Sequence, residues 1–186
     1  QEKKLPVKPQ PDPVKPPPVT VAQPMPPAVA GEDVFLATDD GWRIRCTYFK
    51  SDVGKTASVV VLLHMRGKDR QTWQQNGFAA KLNGLGYAVM SVDLRTFGES
   101  RRADENGNGK AGKTTAKTLT SADYQDMVAN DLEAVKKFIY QKNQAAELDM
   151  RKIGIIAAEM SAPIAMQFAA SDWLKPPFAD DDNPAK

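Results

Sequence analysis

A single histidine, His64, and a single cysteine, Cys46, are the only imidazole and the only thiol among 186 residues. Any mechanism that needs an imidazole base must use His64, and a multi-histidine metal centre is excluded by arithmetic. One cysteine makes neither an intrachain disulfide framework nor a cysteine-rich zinc site. Cys46 lies in a strand-like run and reads as a small core residue. Gly107–Thr114, GNGKAGKT, matches the phosphate-loop spacing G-x-x-x-x-G-K-[ST]. That spacing cradles phosphate only where a buried strand precedes it and a helix follows. The preceding ESRRADEN is no buried strand, so no nucleotide site is expected. Asp104–Gly109, DENGNG, matches the start of a calcium loop, but Thr115 stands where a bidentate Glu is required. A Gly/Asn turn is expected there, with no metal and no cofactor. Lys68, Arg70, Arg101, Arg102, Lys110 and Lys113 add a cationic loop surface, read as solvated.

The charge balance is nearly even, with 25 Lys+Arg against 23 Asp+Glu. The excess sits in residues 1–30, where Lys3, Lys4, Lys8 and Lys15 face Glu2 and Asp12. No large field is therefore aimed at nucleic acid or an anionic membrane. Ten of the 14 prolines also fall there, from Pro6 to Pro27. Proline fixes φ and cannot donate to a ladder, so residues 1–30 are expected to be a disordered, polyproline-II-leaning tail or spacer. Residues 31–186 are expected to form one domain. No run of 18 apolar residues exists, so no membrane span is expected. A Pro-rich start on Gln is what signal-peptide removal leaves in many exported proteins, which points to a secreted or extracytoplasmic location.

Elements that would position chemistry begin after residue 30. Val34–Ala37 and Arg43–Phe49 flank a polar stretch ending in Gly41 and read as a hairpin. Ser58–Leu63, SVVVLL, reads as a strand buried on both faces. Gln71–Leu85 reads as one helix with Trp73, Phe78, Leu82 and Leu85 on its apolar face and Gly86 as its C-cap. Ala88–Leu94 is the next strand, and residues 98–118 a long polar loop. Thr120 with Asp123 offers a capping box, after which Tyr124, Val128, Leu132, Val135 and Ile139 recur at helical spacing. Lys152–Ala157 reads as a third buried strand, followed by a helix over 161–173. The alternation predicts an α/β fold, a mostly parallel sheet with an N-terminal hairpin and helices on both faces.

The segments VVVLLHMRGKDRQTW, VDLRTFGES and KIGIIAAEMSAPIAMQFAA, in this order and spacing, resemble the α/β-hydrolase fold superfamily over roughly residues 32–173. The resemblance implies the N-terminal part of that fold, an incomplete topology lacking the later strands. It also implies a nucleophile on a tight strand-to-helix turn of pattern G-x-S-x-G. On that pattern Ala157 and Ser161 take the glycine positions and Glu159 takes the nucleophile position. Its carboxylate is expected to face a cleft near His64 and Asp93. His64, Met65 and Arg66 fall at the oxyanion-loop position, where a backbone N–H of Met65 or Arg66 would point into the site. No histidine follows Glu159, so no Ser-His-Asp triad is expected within the chain. Two functions follow. One is a pseudoenzyme-like module for binding or assembly. The other is the N-terminal fragment of a genuine hydrolase, of esterase or dienelactone-hydrolase type, whose base lies beyond residue 186. In either case an unknown protein partner or a missing C-terminal half is expected to complete the sheet, since a buried-type strand left at an edge invites pairing.

Overall fold

The computed structural model describes residues 30–102 and 119–176. The Pro-rich tail, the Gly107–Thr114 and Asp104–Gly109 motifs, Lys110 and Lys113 lie outside the described residues. Strands β1 (Glu32–Ala37), β2 (Trp42–Phe49), β3 (Val59–Leu63), β4 (Ala88–Val92), β5 (Arg101–Arg102) and β6 (Ile153–Ala157) form one sheet. Its order is β1-β2-β4-β3-β6, with β5 paired to β2. The hairpin is antiparallel, β2 pairs β4 antiparallel, and β4, β3 and β6 run parallel.

Residue alternation along β3 explains the layering. Val59, Val61 and Leu63 enter the larger core, while Val60 and Leu62 enter the smaller one. A strand covered on both faces needs apolar residues at every position, which the VVVLL run supplies. Helices α1 (Gln71–Gln75) and α2 (Phe78–Gly84) cover the smaller core through Trp73, Phe78, Ala79 and Leu82. The other face is covered by α3 (Ser121–Asp126), α4 (Leu132–Gln144) and α5 (Ser161–Trp173), through Leu132, Val135, Ile139, Ile164 and Phe168. The capping box forms as expected: Thr120 Oγ1 accepts from Asp123 N, and Thr120 N donates to Asp123 Oδ2. Between α3 and α4 the helix widens into a π turn over Met127–Asp131, which keeps the two segments continuous.

Several expectations need correction. The helix over 71–85 is two helices, because Gly77 takes φ 74° and ends the first. Asn76 Oδ1 then accepts from Phe78 N at the start of the second. Leu85 falls off the packed face and is 67% exposed. Within the expected loop over 98–118, Arg101 and Arg102 form β5, opposite Arg43 and Trp42. Strand β6 is not doubly buried: among the described residues it pairs only with β3, and Ile153 is 42% exposed. Met166, Trp173 and Leu174 at α5 are exposed as well.

Candidate functional site

Chemistry in a sheet of this kind gathers where the parallel strands end. Three turns meet that description here, after β3, β4 and β6. The turn after β6 is the sharpest. Glu159 adopts φ 54°, a left-handed conformation that costs a non-glycine residue about 1 kcal/mol or more. The strand thereby reverses into α5 within three residues, and the Glu159 side chain is left exposed at the corner.

Ser161, two residues on, is fully buried. Its hydroxyl accepts from Ala158 N at 3.0 Å and lies 3.0 Å from Ala158 O and 3.2 Å from Leu63 O, both acceptors. It pins the corner to the end of β3 and has no freedom to attack a substrate.

His64 follows β3 and is also fully buried. Leu94 N donates to Nε2 at 3.2 Å, which requires that nitrogen to be unprotonated. The ring proton therefore sits on Nδ1 and is donated to Met65 O at 2.9 Å. Burial pushes the imidazole below its usual pKa, favouring this neutral form. The ring also packs on Phe97, 4.9 Å between centroids. Both nitrogens are spent on tying the ends of β3 and β4 together, so His64 shapes the loop and offers no base. The Met65 carbonyl also accepts from Lys68 N, which closes the turn carrying Arg66 and Gly67. Among the described residues, neither Met65 N–H nor Met160 N–H donates to a protein group.

Asp93, after β4, is a fully buried hub. Its carboxylate accepts from Arg70 N (2.6 Å), Arg70 Nη1 (2.7 Å) and Glu99 N (2.8 Å), and its carbonyl accepts from Ser100 Oγ (2.6 Å). Burial nevertheless raises the carboxyl above its usual pKa, against the pull of those donors. No hydrogen bond or ion pair joins Glu159 to His64 or Asp93, and both of those are enclosed by other partners.

The residues missed by sequence reasoning are the arginines. Arg70, expected in a solvated cationic loop, is 3% exposed and bridges Asp93, Glu99 and Thr47. Arg95 is equally enclosed. It takes both oxygens of the buried Asp131, from Nε at 2.9 Å and from its backbone N at 2.8 Å, and reaches Asp40 from Nη1 at 2.7 Å. The VDLRTFGES segment offered the only available signal: an Asp and an Arg within a short turn suggest partners close by, though not which.

No family model and no curated protein matches the chain. Solved structures do. An esterase from Pyrococcus furiosus superimposes at a TM-score of 0.55 with 23% identity, over 81% of this chain and 52% of that one. An esterase from Exiguobacterium antarcticum gives a TM-score of 0.52 at 19% identity, over 75% and 40%. A variant epoxide hydrolase from Vigna radiata gives 0.51 at 16%, over 76% and 35%. These likenesses establish the fold: the chain has the N-terminal part of an α/β-hydrolase fold, spanning about half or less of those chains.

Proposed function

We propose that the chain is an α/β-hydrolase-like module that binds or assembles rather than hydrolyses by a serine mechanism. The observation that carries this reading is the corner after β6. It holds the strained geometry of a nucleophile turn but presents Glu159, while Ser161 and His64 are committed to structural hydrogen bonds. A hydroxyl nucleophile and an imidazole base in mutual reach are the minimum for acyl transfer, and neither is on offer. The exposed Glu159 and the N–H groups of Met65 and Met160 suit holding a ligand as well as reacting with one. The side of β6 that is unpaired among the described residues and the exposed Ile153, Met166, Trp173 and Leu174 support a covering element, from a partner or from a longer form of the same chain. Export belongs to the same reading, supported by the Pro-rich N-terminal stretch; fractionation of the native source tests it. The purified chain is expected to cleave short p-nitrophenyl esters no faster than buffer. Turnover that disappears in Glu159→Ala would overturn the non-hydrolytic reading.

A second reading is favoured by the φ of Glu159. Strain kept at an exposed carboxylate is a mark of functional corners. In a hydrolase fragment a Glu159 oxygen would attack an electrophilic carbon, form an ester and expel an alkoxide that takes up a proton. A base to release that ester would have to come from outside the described residues. The epoxide hydrolase among the structural neighbours supports trying epoxides as electrophiles. Mass spectrometry then separates the readings: an epoxide adduct on Glu159, absent from Glu159→Gln, supports the second, and an unmodified Glu159 supports the first.

A further inference from the structure

Strand β6 spends the backbone of alternate residues on β3. Val59 N donates to Lys152 O at 3.0 Å, so the polar groups of Lys152 point to β3. Backbone direction alternates along a strand, which turns the N–H and C=O groups of Ile153, Ile155 and Ala157 the other way. That side is open. Residues 151–154 are exposed, and a side chain added to Gly154 would meet empty space. Helix α5 carries an apolar stripe beside it: Met166, Ala169, Ala170 and Trp173 recur at helical spacing and are all exposed, Trp173 to 89%. Asp172 and Lys175 tie α5 to Lys136 and Glu133 of α4. In turn α4 reaches back over the hairpin, with Phe138 on Tyr48 and Lys137 bound to Asp39. The stripe therefore faces away from α4, on the flank where β6 is open.

We propose that this open side of β6 pairs with β6 of a second copy of the chain, antiparallel and centred on Ile155. The residue order selects that partner and that register. About a two-fold axis through Ile155, Ile153 falls opposite Ala157 and Gly154 opposite Ile156, so a large residue meets a small one on both faces. The outward-turned residues 153, 155 and 157 pair with one another, as an antiparallel ladder requires. Arg151 falls opposite Glu159, and both are exposed. A parallel copy would instead set Arg151 against Arg151 and Glu159 against Glu159. Arg151 also binds Asp149, so the rim pairs fix register more than strength. The axis stands perpendicular to the sheet, which keeps both copies of α5 on one face and brings their Met166–Trp173 stripes together. Such a contact is isologous and closes, so it ends at two copies instead of growing into a fibre. Self-pairing is one form of the assembly reading above and rests on it.

The test is sedimentation of the full chain from micromolar to millimolar concentration, where the mass should rise towards twice that of one copy. Glu159→Arg and Arg151→Glu should each weaken association about fivefold or more, and the two changes combined should restore it. Unfolding curves check that the variants remain folded. Oxidation of Ile155→Cys should join two copies, because only a residue on the axis lies within disulfide reach of itself. Cys46 is buried and stays out of that reaction. Glu159→Cys should not cross-link, since antiparallel copies of residue 159 stand roughly 25 Å apart. A monomer at every concentration would overturn self-pairing alone; the non-hydrolytic reading falls only to ester turnover. A dimer that cross-links through Glu159→Cys, or that ignores both charge reversals, would overturn the register and with it the proposal. Amides of Ile153, Ile155 and Ala157 already slow to exchange in the dilute monomer would also overturn it, in favour of a covering segment within the chain.

Discussion

A Cβ added to Gly98 would overlap both oxygens of the Asp93 carboxylate, and Gly98 itself takes φ 52°. The two residues are therefore locked together. Asp93 gathers Arg70 and the Glu99 N–H only because the chain at residue 98 has no side chain in the way. Gly98→Ala is expected to destabilise the domain by about 2–4 kcal/mol, combining a left-handed φ with overpacking of a buried charge. Urea unfolding measures this, and a loss below about 0.5 kcal/mol would show that the turn relaxes freely.

The buried pair Arg95–Asp131 makes the second prediction. Side-chain exposures of 3% and 0% leave neither ion an alternative partner in water. Arg95→Met strands Asp131 and should cost about 3–5 kcal/mol. The double change Arg95→Met with Asp131→Leu removes both charges and should recover much of that loss. Equal instability of single and double variants would mean that Arg95 acts mainly through Asp40 and Asp126.

How far these relationships were legible in the sequence follows from their range. The β3 run, the capping box at Thr120 and helix α5 are local patterns, readable from neighbouring residues. KIGIIA reads as a buried strand, and the polar, Pro-containing exit after it points to an edge place, which the pairing of β6 with β3 alone among the described residues matches. The apolar run by itself does not disclose the exposure of Ile153, because doubly buried and edge strands share that pattern. Gly77 gives no local signal of the helix break, because glycine tolerates both helix and left-handed turn. The corner at Glu159 was legible through the small residues Ala157 and Ser161 around it. The sealing of Ser161 by Leu63 O was not, since that partner lies 98 residues away. Arg70 and Arg95 were unreadable for the same reason: a charged side chain is presumed solvated until the fold brings carboxylates to it.

Acid should act through Asp149. Its carboxylate receives Arg151 Nε at 2.9 Å and Arg151 N at 3.1 Å, and the Arg151 side-chain bond first holds its pKa down at about 2. A carboxyl whose folded pKa lies below its unfolded 3.8 stabilises fully above 3.8, and that contribution is lost as pH falls towards about 2. Because Arg151 is largely in water, solvent screens the pair and its contribution is small. Unfolding free energies measured from pH 5 down to 2 should flatten in Asp149→Asn relative to the parent over about that window. Identical slopes in the two proteins would remove Asp149 from the acid response.

The final prediction separates the strain at Glu159 from the chemistry at Ser161. Glu159→Gly relieves the left-handed φ of 54° and should stabilise the domain by about 0.5–1 kcal/mol, because the exposed carboxylate has no partner to lose among the described residues. Ser161→Ala should do the opposite. It leaves Ala158 N without its acceptor in a buried corner, at about 1–3 kcal/mol. A fluorophosphonate probe should label neither the parent nor Glu159→Gly, since a fully buried hydroxyl bonded within the corner cannot reach phosphorus and His64 has no free nitrogen to accept its proton. Stoichiometric labelling at Ser161, lost in Ser161→Ala, would show that the corner opens in solution and would return a serine mechanism to contention. Stabilisation by Glu159→Gly without labelling would leave a strained carboxylate, maintained at a cost to stability, as the feature that any function of this crevice must use.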